Sequence, residues 1–176
     1  MSIIRRGAVI RDQHVIRVKV NGIVYEEAVE SRKLLSDFIR ENLGLKGTHV
    51  GCEHGVCGSC TVQMNGRTVR SCLTFAVEAN GAEILTVEGL SDGEQLHPLQ
   101  EAFNEHHGLQ CGFCTPGMLM SAKELLERNF NPTEQEVRLG LSGNICRCTG
   151  YTGIVDAVHA AAQKLKEKRE GGCCMQ

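Results

Sequence analysis

The chain has 176 residues, 41% of them hydrophobic, and a formal net charge of −2. That is apolar material for one core or two small ones, and the near-neutral balance excludes the strongly basic surface of a nucleic-acid or anionic-membrane binder. Ten cysteines would build a disulfide framework only in an exported chain. The N-terminus MSIIRRGAVIRDQHVIRV reads against export. After the twin arginine Arg5–Arg6, Arg11 and Asp12 interrupt before an apolar run of about 7–15 residues forms. No stretch approaches about 18 apolar residues, so no membrane-spanning helix is expected, and metal-bound thiols in a cytoplasmic chain are the better reading.

In chain order, residues 1–13 precede the first strand pattern and are expected to cover a sheet edge or a partner surface. From His14, HVIRVKV alternates apolar and polar residues, and Asn21-Gly22 turns it into IVYEEAV, a hairpin by pattern and by turn chemistry. Leu34, Leu35, Phe38 and Ile39 recur at helical spacing in KLLSDFIRENLG, with Gly44 as the stop. CTVQMNGRTVRSC repeats the hairpin signal around Asn65-Gly66, and AEILTVEGL is a closing strand. Strand pair, helix, loop, strand pair and strand is the order of a β-grasp sheet folded over one helix.

Past residue 90 the pattern turns helical. LHPLQEAFNEHH is a short helix ending at His106-His107. Thr115 as N-cap and Pro116 at the first helical position start a second, with Met118, Leu119, Ala122, Leu125 and Leu126 as its apolar stripe. Thr133 and Glu136 form a capping box for a shorter third. Ile154, Val155, Ala157, Val158, Ala161, Ala162 and Leu165 line a long fourth, whose end KLKEKRE reads as a solvated face. Four such helices suggest a small bundle. Cys173 and Cys174 lie beyond it in GGCCMQ, where a disordered tail without function is expected.

The remaining cysteines carry the chemistry. GCEHGVCGSC, residues 51–60, spaces Cys52, Cys57 and Cys60 as Cys-x4-Cys-x2-Cys, the plant-type ferredoxin spacing, completed by a later cysteine; Cys72 is next. Gly51, Gly55 and Gly58 let the backbone wrap closely and aim amides at sulfides, a demand a zinc knuckle does not make. A Rieske centre would need a second histidine ligand, and no Cys-x2-His element follows, so His54 reads as a loop hydrogen-bonding residue. In the second half, Cys111 and Cys114 (QCGFC) and Cys146 and Cys148 (ICRC) each lie just ahead of a long helix. Helix N-termini favour thiolate over thiol, so two pairs converging there can supply four sulfurs to one site. Zinc competes for both sets, although Cys146-Arg147-Cys148 is too tight for a zinc knuckle. There is no Walker loop and no Gly-x-Gly-x-x-Gly, so a nucleotide or FAD belongs elsewhere.

Together, GCEHGVCGSCTV…SC, GLQCGFCTPGM and GNICRCTGY resemble the iron–sulfur subunit of the molybdenum hydroxylases. This is the xanthine oxidase family, with its aldehyde oxidoreductases, aerobic carbon monoxide dehydrogenases and N-heterocycle dehydrogenases. The resemblance runs over roughly residues 14–165. It implies an α+β chain: an N-terminal β-grasp plant-type ferredoxin domain (residues 14–90), then a C-terminal four-helix domain (91–168), with tails 1–13 and 169–176. It also implies two 2Fe–2S clusters, one on Cys52, Cys57, Cys60 and Cys72, the other on Cys111, Cys114, Cys146 and Cys148. Gln110 and Cys148 would lie against a molybdopterin cofactor in a large partner subunit, and electrons would leave to FAD in a medium subunit. From the residues alone, Gln110 is a solvated side chain and Cys148 a plain ligand. A freestanding two-cluster ferredoxin and a zinc-stabilised binding module are the alternatives. The family recognises substrate in its large subunit, so this chain bears no substrate signature.

Overall fold

Two Asn-Gly turns set the sheet. In the computed structural model, which describes residues 12–171, Asn21 and Gly22 have φ of 50° and 84°, and Asn65 and Gly66 have 52° and 77°. Left-handed backbone at both turn positions matches the twist of the strands on either side, which is why Asn-Gly closes hairpins so well. The first turn joins β1 (Gln13–Val20) to β2 (Ile23–Glu30) in antiparallel register along their whole length. The second joins β3 (Thr61–Met64) to β4 (Arg67–Arg70). The short β5 (Glu83–Leu85) enters between them, parallel to β1 and antiparallel to β3, giving the order β2-β1-β5-β3-β4. A last strand in the middle of the sheet is the β-grasp arrangement. The expected closing strand AEILTVEGL is cut short because Asn21 Oδ1 takes the Thr86 amide at 2.9 Å, and the chain then turns at Val87–Gly89.

The helix under the sheet departs from expectation. Leu35–Asp37 is a single turn, α1, and Phe38–Asn42 widens into a π turn in which the Leu43 amide reaches back to the Phe38 carbonyl at 3.1 Å. Leu34 lies outside it, bridged to Phe75. The wider turn leaves Phe38 and Ile39 both fully buried against the sheet. Arg40 then pins the outgoing chain through the carbonyls of Lys46 (2.8 Å) and Thr48 (2.6 Å), and Gly44, at φ 72°, makes the stop.

Four helices follow: α2 (Pro98–Glu105), α3 (Thr115–Arg128), α4 (Glu134–Gly140) and α5 (Thr152–Gly171). The Thr133–Glu136 capping box opens α4 as expected. Thr115 is not a cap. Cys114 already has helical angles and holds the N-cap position, so Thr115 falls inside the first turn, and its hydroxyl is buried without a partner among the described residues. The charged end of α5 is less free than expected: Lys164 pairs with Glu105 of α2 at 2.8 Å, and Arg169 lies over the Phe130 ring at 3.7 Å.

Two cores result. The sheet half packs Ile16, Val18, Phe38, Ile39, Val62 and Ile84 with no cysteine among them. The helical half packs Leu99, Phe103, Met118 and Ile154 around Cys114 and Cys146, and Leu90 joins it. Strand β1 starts at Gln13 and α5 runs to Gly171, so the chain is ordered slightly beyond both expected tail boundaries. The expectations for residues 1–11, and for Cys173 and Cys174, lie outside the described residues.

Candidate metal centres

The loop between the π turn and β3 bends through left-handed residues at Glu53, Gly55 and Gly58 (φ 55°, 81° and 75°). Glycine is needed at position 55, since a Cβ there would stand 2.3 Å from Leu73 Cδ1. The bends bring Cys52 and Cys57 side by side, and the Cys57 amide donates to the Cys52 sulfur at 3.4 Å. His54 bonds the Cys52 carbonyl, a loop role as read from the sequence. Cys60 and Cys72 are buried as neighbouring thiols. The β3–β4 register sets them together, with Ser71 held to the Cys60 carbonyl through its amide (3.3 Å) and hydroxyl (2.7 Å).

The second set nests. Cys111 and Cys148 are exposed with their sulfurs 3.6 Å apart, and inside them Cys114 and Cys146 are buried in contact. Cys114 is the N-cap of α3, and Cys146 and Cys148 lie just ahead of α5. Thr149 donates to the Cys146 sulfur from its hydroxyl (3.2 Å) and its amide (3.5 Å). The Cys146 amide is taken by the Tyr151 hydroxyl at 2.9 Å. Each quartet therefore has a buried pair and a more accessible pair.

The thiols are unequal. The Cys57 amide, then the backbone at His54, hold Cys52 down at about 6. Burial pushes Cys72 up to about 11 and Cys114 up to about 12, each reinforced by its paired cysteine. Burial also works against the Cys146 thiolate, but the Thr149 hydroxyl and amide outweigh it, and its pKa lies below the ordinary value. Cys148 is raised by sharing a hydrogen bond with Cys111. Crowded thiols of this kind give up protons when a cation binds them.

Among the described residues, no three His, Cys, Asp or Glu side chains converge on one ion position. A single zinc draws four ligands to about 2.3 Å around one point. Sulfurs grouped two and two fit a dinuclear cluster, in which each iron takes its own pair. The unpartnered Thr115 hydroxyl, next to Cys114, also suits a site where a sulfur would accept from it.

Gln110 is exposed beside Cys111. Sequence reasoning missed His49, whose Nδ1 bonds the Phe113 carbonyl at 2.8 Å while its ring stacks on Phe113 at 4.9 Å. That contact joins the two cysteine loops across sixty-odd residues of chain. Thr149 and Tyr151 were also missed, although a hydroxyl three residues after a cysteine is a short-range signal that could have found Thr149.

Two family models divide the chain between them: a 2Fe-2S iron-sulfur cluster binding domain matches residues 18–86, and a [2Fe-2S] binding domain matches residues 86–159. The nicotine 6-hydroxylase small subunit of Paenarthrobacter nicotinovorans is 56% identical over 157 residues, 89% of this chain and 94% of that one. The chain belongs to the iron–sulfur subunits of the molybdenum hydroxylases. Caffeine dehydrogenase subunit gamma of a Pseudomonas species is 52% identical, covering 85% of this chain and 91% of its own. The crystal structure of quinoline 2-oxidoreductase from Pseudomonas putida superposes with a TM-score of 0.86 at 51% identity, over 91% of this chain and 98% of that one. As a member of the family, the chain is an iron–sulfur electron-transfer subunit of a molybdenum-dependent oxidoreductase. No helix among the described residues is long and apolar enough to cross a membrane.

Proposed function

We propose that Cys52, Cys57, Cys60 and Cys72 hold one 2Fe–2S cluster in a unit of residues 14–90, and that Cys111, Cys114, Cys146 and Cys148 hold a second in residues 91–168. The observation that carries this is the two-and-two grouping of the sulfurs in each quartet. Bound there, the clusters supply one-electron storage between a molybdopterin centre in a large subunit and FAD in a medium subunit, in the cytoplasm.

The chain's own residues prepare those positions. The Cys57 amide and the Thr149 hydroxyl and amide donate to cysteine sulfur, which holds it as thiolate. Burial of Cys60, Cys72, Cys114 and Cys146 keeps water off the inner half of each site. Cys111 and Cys148 form an exposed rim with Gln110 beside them, and that rim is the face offered to the pterin. The Gln110 amide makes no hydrogen bond within the described residues, so both its donor and its acceptor are free for a partner. Nicotine, caffeine and quinoline, named for relatives at 51–56% identity, are nitrogen heteroaromatics, and that favours this substrate class for the holoenzyme over the aldehydes named for relatives at 43–48%.

Metal analysis of the purified complex tests the proposal. It should find about four iron and four acid-labile sulfide in this chain, with two distinct paramagnetic signals on reduction. Molybdenum and flavin should co-purify on separate chains, and a panel of N-heteroaromatics should reduce the complex where simple aldehydes do not. Stoichiometric zinc without visible absorption would establish the zinc-module alternative, and isolation as a lone chain would establish the freestanding ferredoxin.

A further inference from the structure

The two halves meet in a knot of polar groups that touches every cysteine-bearing segment. Asn144 is only 3% exposed, yet both ends of its amide are used. Nδ2 donates to the Gly58 carbonyl at 3.0 Å and reaches Thr61 Oγ1 at 3.4 Å, on either side of Cys60. Oδ1 accepts from the Ser121 hydroxyl at 2.7 Å, on the helix that begins at Cys114. Asn144 itself is two residues before Cys146. Arg70, two residues before Cys72, donates to the Gly143 carbonyl at 2.6 Å and to Thr61 Oγ1 at 2.7 Å. Next to the knot, the Ile145 amide donates to the Cys57 carbonyl at 2.9 Å.

Three glycines let these backbones approach. A Cβ on Gly58 would stand 2.4 Å from the Gly143 carbonyl oxygen, one on Gly117 2.2 Å from the Gly58 oxygen, and one on Gly143 2.4 Å from Arg70 Nη2. With no side chain on these three residues, the Asn144 and Arg70 hydrogen bonds set the spacing of the backbones at this point. Among the described residues, Asn144 is the one side chain that bonds the sheet half and α3 at once from the Cys146 loop. Its bonds are directional, donor toward Gly58 and acceptor toward Ser121, so they survive only while all three segments keep their places.

We propose that Asn144 is a positioning residue that fixes the separation and orientation of the two cysteine quartets, and with them the coupling between the clusters they hold. It ligates nothing and acts through Gly58 and Ser121. The proposal rests on the two-cluster reading above.

Low-temperature electron paramagnetic resonance of the dithionite-reduced complex reads this directly, because the interaction splitting between two reduced clusters depends on their distance and relative orientation. Asn144→Ala should keep full iron and sulfide and the g-values of each cluster, while the splitting broadens or is lost. Ser121→Ala, which removes only the hydroxyl on Oδ1, should shift the splitting in the same direction by less. Unchanged splitting in Asn144→Ala at full iron content would overturn the proposal. Should that variant fail to fold, Ser121→Ala decides alone: a shifted splitting supports the role and an unchanged one ends it. A wild-type complex with only one cluster signal would instead remove the two-cluster reading, and this proposal with it.

Discussion

The two groups of four cysteines are alike in composition and differ in what surrounds them. In the sheet half the quartet hangs on a glycine-bent loop and one strand end, and the apolar core closes beneath it without a cysteine. In the helical half Cys114 and Cys146 are themselves core residues, packed with Met118, Phe103 and Ile154. A group of cysteines can thus be attached to a finished core or be part of the core. Cofactor loss should then have different consequences in the two halves.

The largest effect expected is on removing iron. Chelation under reducing conditions should strip hydrogen-exchange protection from the start of α3 and from residues 146–155 first, while β1, β3 and β5 stay protected. Cys114→Ser should accordingly lose the helical cluster and destabilise its half, and Cys57→Ser should lose the other cluster with little unfolding. Earlier loss of protection in the sheet would break the comparison. Second, Phe38→Ala removes the largest fully buried side chain of the cysteine-free core and should cost about 3–5 kcal/mol, measured by denaturant unfolding. The helical cluster's signal should persist through that loss. Third, Gln110→Ala removes a partner whose loss costs about 1–3 kcal/mol where the opposite polar group is left unpaired. In rapid mixing with substrate, reduction of the helical cluster should slow while the sheet-half spectrum stays as it was.

The smallest effect concerns α4. Thr133→Ala should cost about 1 kcal/mol, as N-cap losses do, within the helical half alone. The Thr133 amide and then its hydroxyl hold the Glu136 carboxyl below its ordinary value of 4.5. A lowered acid stabilises the fold fully above that ordinary value, and the contribution fades as pH falls through the lowered one. Melting profiles of wild type and Glu136→Gln, which keeps the shape but removes the charge, should therefore converge on acidification. Parallel profiles down to the lowest pH would remove Glu136 from the cap.

Much of this was legible where the signal is local. Asn21-Gly22, Asn65-Gly66 and the Thr133–Glu136 box each need only residues within four positions of one another, and each formed as read. Leu34 and Phe38 misled because burial of Phe38 and Ile39 together favours a π turn over the regular helix their spacing suggests. Thr115 misled because Cys114 before it already has helical angles, so the threonine falls inside the first turn instead of ahead of it. Cysteine spacing and the family resemblance suggested which cysteines to group, but not their pairing, which depends on the β3–β4 register and on how α3 and α5 converge. The contacts of Asn144, Gly58 and Gly117 have no periodicity in the sequence, since they join segments brought together only by the finished fold.

The nested arrangement of the helical quartet also orders events during synthesis. The sheet-half set is complete once Cys72 leaves the ribosome, and Cys148 follows 76 residues later (148 less 72). At about 5–20 residues per second, that is roughly 4–15 s. For most of that interval the glycine-bent loop must hold its shape without Arg70's carbonyl partner at Gly143 or the Asn144 amide, neither of which has yet been made. On the two-cluster reading proposed above, the first quartet is therefore complete before residues 143 and 144, which bond its surroundings, have been made.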